Sequence, residues 1–241
     1  MELVRAKDYN DMSRKAANVI SAQVILKPNS VLGLATGDTP KGTYLQLAEW
    51  QKKGDCSFAK ASSYNLDEYV GLTPDHPQSY HYFMRKNFFD LVDIDLANTH
   101  VPDGAADDVE QACVDYDSIV AEAGYPDLQL LGIGRNGHIG FNEPDDHFAR
   151  GTHVVDLTES TIEANSRLFD RVDEVPRQAV SMSIQTIMYA RRILILASGE
   201  DKAKAVRDMV YGLITPQVPA SILQLHPNCT VIADEAALSL C

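Results

Sequence analysis

Short apolar runs rich in Val, Ile and Leu alternate along this chain with longer stretches whose apolar positions recur every three or four residues. The short runs have the composition of strands buried on both faces, and the longer ones the period of amphipathic helices. Strands are predicted at 31–35, 61–66, 128–133, 154–157, 193–197 and 230–233. A first helix carries Ala16, Ala17, Val19, Ile20 and Val24 on one face and closes at Lys27-Pro28-Asn29. Further helices are predicted at 40–51, 79–91, 107–123, 160–169 and 202–211. Thr39-Pro40 is the clearest start signal, with Thr as N-cap and Pro at the first helical position.

Strands alternating with helices predict an α/β chain with a Rossmann-like parallel sheet and helices on both faces. No internal repeat, low-complexity tract or Pro/Gly/Ser linker interrupts it, so residues 1–241 read as one domain. Such folds bind ligands in the crevice outside the carboxyl ends of the strands, which directs attention to the loops that follow them.

Composition narrows the function classes. With 45% hydrophobic and 23% charged residues, the chain can bury a sizeable core, and disorder and fibrous classes drop out. Acidic residues outnumber basic ones 34 to 21, a net charge of −13, so the long-range field repels nucleic acid. An anionic metabolite can still bind where a few basic side chains turn inward. The N-terminal residues show no secretory signal, and the most apolar run, 193–197, falls far short of the ~18 residues a membrane span needs. Cys56, Cys113, Cys229 and Cys241 form no C-x-x-C pair and no framework, and read as reduced thiols in the cytoplasm.

Four loops carry candidate chemistry. Thr36-Gly37-Asp38-Thr39 joins a strand to a helix start, where backbone N–H groups and the helix dipole suit a phosphate, although an ordinary strand-to-helix turn has the same look. Asp67 and Glu68 follow the next strand. A carboxylate there can serve as a general base if burial keeps its pKa high, and alternation along an extended chain points at most one of the two into a site.

The third loop runs from Gly132 to Pro144. Gly132, Gly134 and Gly137 satisfy G-x-G-x-x-G, with Asp156 at about the ~20-residue distance of a ribose acid. Gly140, Pro144 and Gly151 break the following stretch too often for the helix such a site requires, so a dinucleotide is set aside. What remains is His138 among glycines, with Glu143 or Asn136 available to fix its tautomer. No second imidazole lies at metal-binding spacing, so no metal is expected. Arg167 and Lys202 are the candidate basic side chains for an anion, though each taken alone reads more readily as a surface charge.

Five blocks, 36–40, 65–71, 137–144, 164–167 and 223–227, resemble the glucosamine-6-phosphate deaminase (isomerase) family across almost the whole chain. The resemblance implies conversion of glucosamine 6-phosphate and water to fructose 6-phosphate and ammonia with no cofactor. It implies that Asp67 is the base at C2, that His138 with Glu143 and Asn136 serves ring opening, and that Thr36, Gly37, Asp38, Thr39, Arg167 and Lys202 hold the phosphate. Many members carry Asp where this chain has Asn136. Larger members also have an activator site of basic and hydroxyl residues just beyond the loop. Here the segment Asp145 to Arg150 is acidic, and activation by an acetylated sugar phosphate is not expected. The resemblance leaves monomer and homo-oligomer equally open. A 6-phosphogluconolactonase would not need Asp67, and a phosphosugar sensor would have no use for the acid/base set.

Overall fold

The structure is a computed structural model that describes all residues except 167, 168, 170, 172 and 173, and within α5 also leaves out the side chains of 160, 161, 164 and 165. Ten strands are described: β1 Glu2–Ala6, β2 Val31–Leu34, β3 Ser62–Asn65, β4 Asp67–Tyr69, β5 Thr99–His100, β6 Leu128–Leu131, β7 His153–Asp156, β8 Gln178–Ser181, β9 Ile193–Ala197 and β10 Cys229–Asp234. The helices are α1 Tyr9–Leu26, α2 Asp38–Lys53, α3 Tyr80–Asn87, α4 Val109–Glu122, α5 Glu159–Ser166, α6 Ile184–Met188 and α7 Ala203–Tyr211.

Seven strands form one parallel sheet in the order β1-β10-β9-β6-β2-β3-β5. The central strands β6, β9 and β10 are buried along their whole length, which is why they read as unbroken apolar runs rather than as alternation. One face packs on α1 and α2 through Met12, Ile20, Tyr44 and Leu47. The opposite face packs on α4 and α7 through Tyr116, Val120, Val206 and Met209. Helices therefore cover both faces, as the pattern predicts.

Three differences stand out. The apolar run at 154–157 is not a buried strand of the main sheet. It forms β7, half-exposed, in a second, antiparallel sheet of order β4-β8-β7. Strands β1, β4, β5 and β8 and helix α6 have no counterpart in the sequence reading. Finally, α2 begins two residues earlier than predicted. Gly37 is its N-cap, without a side-chain cap, so Thr39 and Pro40 lie inside the first turn. Proline fits there because a first-turn N–H has no intrahelical acceptor.

After β2 the chain moves outward to β3 and β5, then returns to lay β6 on the other side of β2. That reversal opens a crevice at the carboxyl ends of β2 and β6, the expected ligand site of an open parallel sheet.

Candidate active site

The loops singled out in the sequence follow β2, β3, β6 and β9, four neighbouring strands. Thr36 to Thr39, Asp67, the 136–143 loop and Lys202 therefore gather at one edge of the sheet. Arg167 lies outside the described residues.

On the β2 side, Gly37 takes φ 90° and turns the chain into α2. Tyr9 of α1 fixes this turn by donating to the Asp38 carbonyl at 2.9 Å and accepting from Gly42 N–H at 2.8 Å. Asp38 pairs with Lys41 at 2.8 Å, one turn along the helix. The sixteen-residue helix thus directs the positive end of its dipole into the crevice without a side-chain cap.

Asp67 opens β4 and is 7% exposed. Burial, and secondarily the neighbouring charge of Glu68, push its carboxyl up from 3.8 to about 8. Its neighbour leaves the strand in the opposite direction: Glu68 accepts backbone N–H bonds from Tyr69 and Tyr80 at 2.8 Å and from His81 at 2.9 Å. One of the two acids addresses the crevice and the other the start of α3, as strand alternation predicts.

The loop after β6 wraps tightly around its histidine. Gly134 N–H donates to the His138 carbonyl at 2.9 Å, and Gly137 N–H to the Gly134 carbonyl at 3.0 Å, with Gly137 at φ 87°. The imidazole lies so close over Gly134 that a Cβ there would come within 2.3 Å of Cε1. Gly137 is hemmed in by Val218, and the Ala220 N–H donates to its carbonyl at 2.9 Å. No helix opens at Gly137, and Ile139 and Asn142 pair in an isolated bridge instead, so the glycine pattern serves the histidine rather than a dinucleotide.

His138 Nδ1 faces Glu143 Oε2 at 3.3 Å, and the carboxylate side chain is 8% exposed. The approach is electrostatic rather than a well-aligned hydrogen bond, since Nδ1 has no hydrogen-bond partner. Asn136 does not meet the imidazole. Its Nδ2 donates to Glu143 Oε2 at 2.6 Å and its Oδ1 accepts the His138 backbone N–H at 3.2 Å. The amide therefore braces the carboxylate and the loop, and of the two side chains it is Glu143 that faces the ring.

Lys202 ends a tight turn of residues 200–202 after β9 and is half-buried. Burial lowers its pKa from the usual lysine value, a cost that an incoming anion would offset. Gly199 at φ 96° and Ser198 both donate to Asp234 of β10, which anchors the turn. Next to Lys202, Asp201 pairs with Arg135 of the histidine loop at 2.8 Å, an exposed bridge between the two loops.

Two residues to which the sequence assigns no role, Ser181 and Asn142, tie the loop to the base. Ser181 of β8 lies opposite Asp67 in the antiparallel register, and its Oγ accepts the Phe141 N–H at 3.0 Å. Asn142 Nδ2 donates to the carbonyls of Ile139 and Met182 at 2.9 and 2.8 Å. Both are buried polar side chains beside apolar runs, and that is a signal only once β8 is known to pair with β4.

Residues 7–232 match the family described as glucosamine-6-phosphate isomerases/6-phosphogluconolactonase. The chain belongs to this family. Within it, the chain is 59% identical over 232 residues to the glucosamine-6-phosphate deaminase of Lachnoclostridium phytofermentans, covering 96% of this chain and 98% of that one. It is 55% identical over 240 residues to the glucosamine-6-phosphate deaminase of Halothermothrix orenii, covering both completely. The solved structure of a monomeric glucosamine-6-phosphate deaminase superposes with a TM-score of 0.97 at 47% identity over the full length of both chains. A 6-phosphogluconolactonase from Thermotoga maritima superposes with a TM-score of 0.75 at 19% identity, over 97% of this chain and 99% of that one, a likeness of fold alone.

Proposed function

We propose that this chain is a glucosamine-6-phosphate deaminase, converting glucosamine 6-phosphate and water to fructose 6-phosphate and ammonia. The observation that carries this reading within the family is the buried Asp67, held to about 8, at the same sheet edge as the His138–Glu143 pair. Lactone hydrolysis has no use for a base of that kind, and a sensor has no use for either group.

The reaction moves protons at several atoms of the substrate. Ring opening carries a proton from the anomeric hydroxyl to the ring oxygen, the work of one imidazole that both accepts and donates, here His138 oriented by Glu143. Asp67 then takes the C2 proton of the open chain. Reprotonation at C1 leaves an imine at C2, and water replaces the nitrogen there to give the ketose and ammonia. A carboxyl poised near the working pH suits both the removal and the return of a proton.

In this reading the 6-phosphate rests on the backbone of Thr36, Gly37, Asp38 and Thr39 at the start of α2, with Lys202 beside it; Arg167 joins that set on the resemblance. No metal or organic cofactor takes part in the reading, and residues 1–241 act as one domain. Among the described residues no helix is long and apolar enough to cross a membrane, and the proposal places the enzyme in the cytoplasm.

Ammonia release from glucosamine 6-phosphate, measured without added metal or nucleotide, tests the proposal directly. Hydrolysis of 6-phosphogluconolactone without ammonia release would overturn it in favour of the other activity in the family name.

A further inference from the structure

Glu68 is a buried carboxylate, 3% exposed, that the reaction above does not use. Its two oxygens accept three backbone N–H groups, one from its own strand and two from the first residues of α3. Ser79 already caps that helix by accepting the Tyr82 N–H at 3.0 Å, so the carboxylate is not required merely to start it. What Glu68 adds is a tie between β4 and α3. The first residue of α3, Tyr80, stacks on Phe141 of the histidine loop at 6.1 Å with the rings 7° from parallel, and its hydroxyl lies 3.3 Å from that of Tyr69. The same carboxylate therefore fixes both the strand that presents Asp67 and the helix that supports the loop presenting His138.

We propose that Glu68 is a positioning residue for this reaction: it locks the direction in which Asp67 leaves β4 and keeps a second buried negative charge beside the base. The inference rests on the reading of Asp67 as the C2 base.

The other titratable groups around the pair are identifiable. Tyr44 of α2, Tyr69 of β4, Tyr80 of α3 and Tyr116 of α4 are phenols that burial keeps neutral, and the Asp67 charge pushes each further the same way. Asp103, on the loop whose Gly104 abuts Tyr69, acts on Glu68. His81 supplies one of the bonded N–H groups. The histidine loop packs on β4 through Gly140, at a Cβ position 3.6 Å from Asp67 Oδ2, and contributes His138 and Glu143. Among these, the Glu68 charge raises the Asp67 carboxyl. Burial raises the Glu68 carboxyl above its ordinary value, and the three N–H donors work the other way, favouring its charged form.

The test compares wild type, Glu68→Gln, Glu68→Asp and Asp67→Asn by the pH dependence of kcat/KM and by exchange of the C2 hydrogen with deuterium oxide. Glu68→Gln keeps an oxygen for the Tyr69 and Tyr80 N–H groups but removes the charge, so the acidic limb is expected to move down by about one pH unit with KM nearly unchanged. Glu68→Asp keeps the charge but shortens the arm, so kcat is expected to fall about tenfold or more while the limb stays in place. A limb in Glu68→Gln that coincides with wild type, alongside exchange lost in Asp67→Asn, overturns the role of Glu68 alone. Exchange that survives in Asp67→Asn overturns the base reading and this inference with it. Carboxyl carbon-13 spectra of the wild-type protein decide independently of how the variants fold: Glu68 is expected to stay ionised across the range in which Asp67 titrates, and a Glu68 that remains protonated there overturns the proposal.

Discussion

Asn136 donates a 2.6 Å hydrogen bond to Glu143 and makes none to the imidazole it flanks. An amide is the right group for that contact, because it can donate to a carboxylate that also faces His138. An aspartate at this position would set two carboxylates against each other in this geometry. Asn136→Asp is therefore expected to lower kcat/KM by about tenfold at neutral pH rather than to improve the histidine. The deficit should shrink toward acidic pH, where protonation of one carboxylate relieves the contact; pH profiles of both proteins check this.

The close seat of His138 over Gly134 gives a second expectation. A Cβ at residue 134 meets the ring at 2.3 to 2.4 Å, and the ring must move. Misplacing a catalytic group by about 1 Å costs on the order of 100-fold. Gly134→Ala should therefore lose about that factor in kcat, and steady-state kinetics beside a thermal melt will separate the displaced ring from a lost fold.

Activity and stability conflict at Asp67. The folded carboxyl holds its proton up to about 8, against 3.8 ordinarily. The unfolded chain thus releases this proton first as pH rises. Stability from the group is fully present below about pH 4 and is lost progressively as pH rises through about 8. Asp67→Asn removes the titration. Its melting temperature should match wild type near pH 4 and exceed it near pH 8, by as much as a few kcal/mol of stability. The same variant should bind phosphosugar yet show no C2 exchange.

Lys202 should act on binding more than on chemistry. Losing a charge-assisted bond to a phosphate is worth roughly 1.5 to 3 kcal/mol. Lys202→Gln is expected to raise KM by about 10- to 100-fold with kcat changed only a few-fold, and to flatten the salt dependence of KM. A change confined to kcat would remove Lys202 from the phosphate set.

Much of this arrangement is legible in the sequence for physical reasons. β6, β9 and β10 are buried on both faces, so their composition alone marks them, and the loops after them follow from the fold class. The alternation that separates Asp67 from Glu68 is likewise local geometry. The missed pieces depend on partners distant in sequence. β4 has three residues and exists because β8 pairs with it, and nothing near residue 67 announces residue 181. The run at 154–157 looks like a core strand because Val154, Val155 and Leu157 are apolar, yet β7 lies half-exposed in the small sheet. Thr39-Pro40 imitates a helix start, but Gly37, at φ 90°, turns the chain two residues sooner. The position of Asn136 against Glu143 rather than the ring depends on loop closure, which spacing does not encode.

The pairing of β1 with β10 has a consequence for biosynthesis. Residues 2–6 leave the ribosome long before the strand they join, residues 229–234, which must enter between β1 and β9. Until then β1 has no neighbour and the edge of β9 stands open, a template for pairing with another nascent chain. Parallel pairings this distant in sequence form slowly. The sheet can therefore close only after residues 229–234 have emerged, and until then the newborn chain carries an aggregation risk in which holdase chaperones would find their target at the β9 edge.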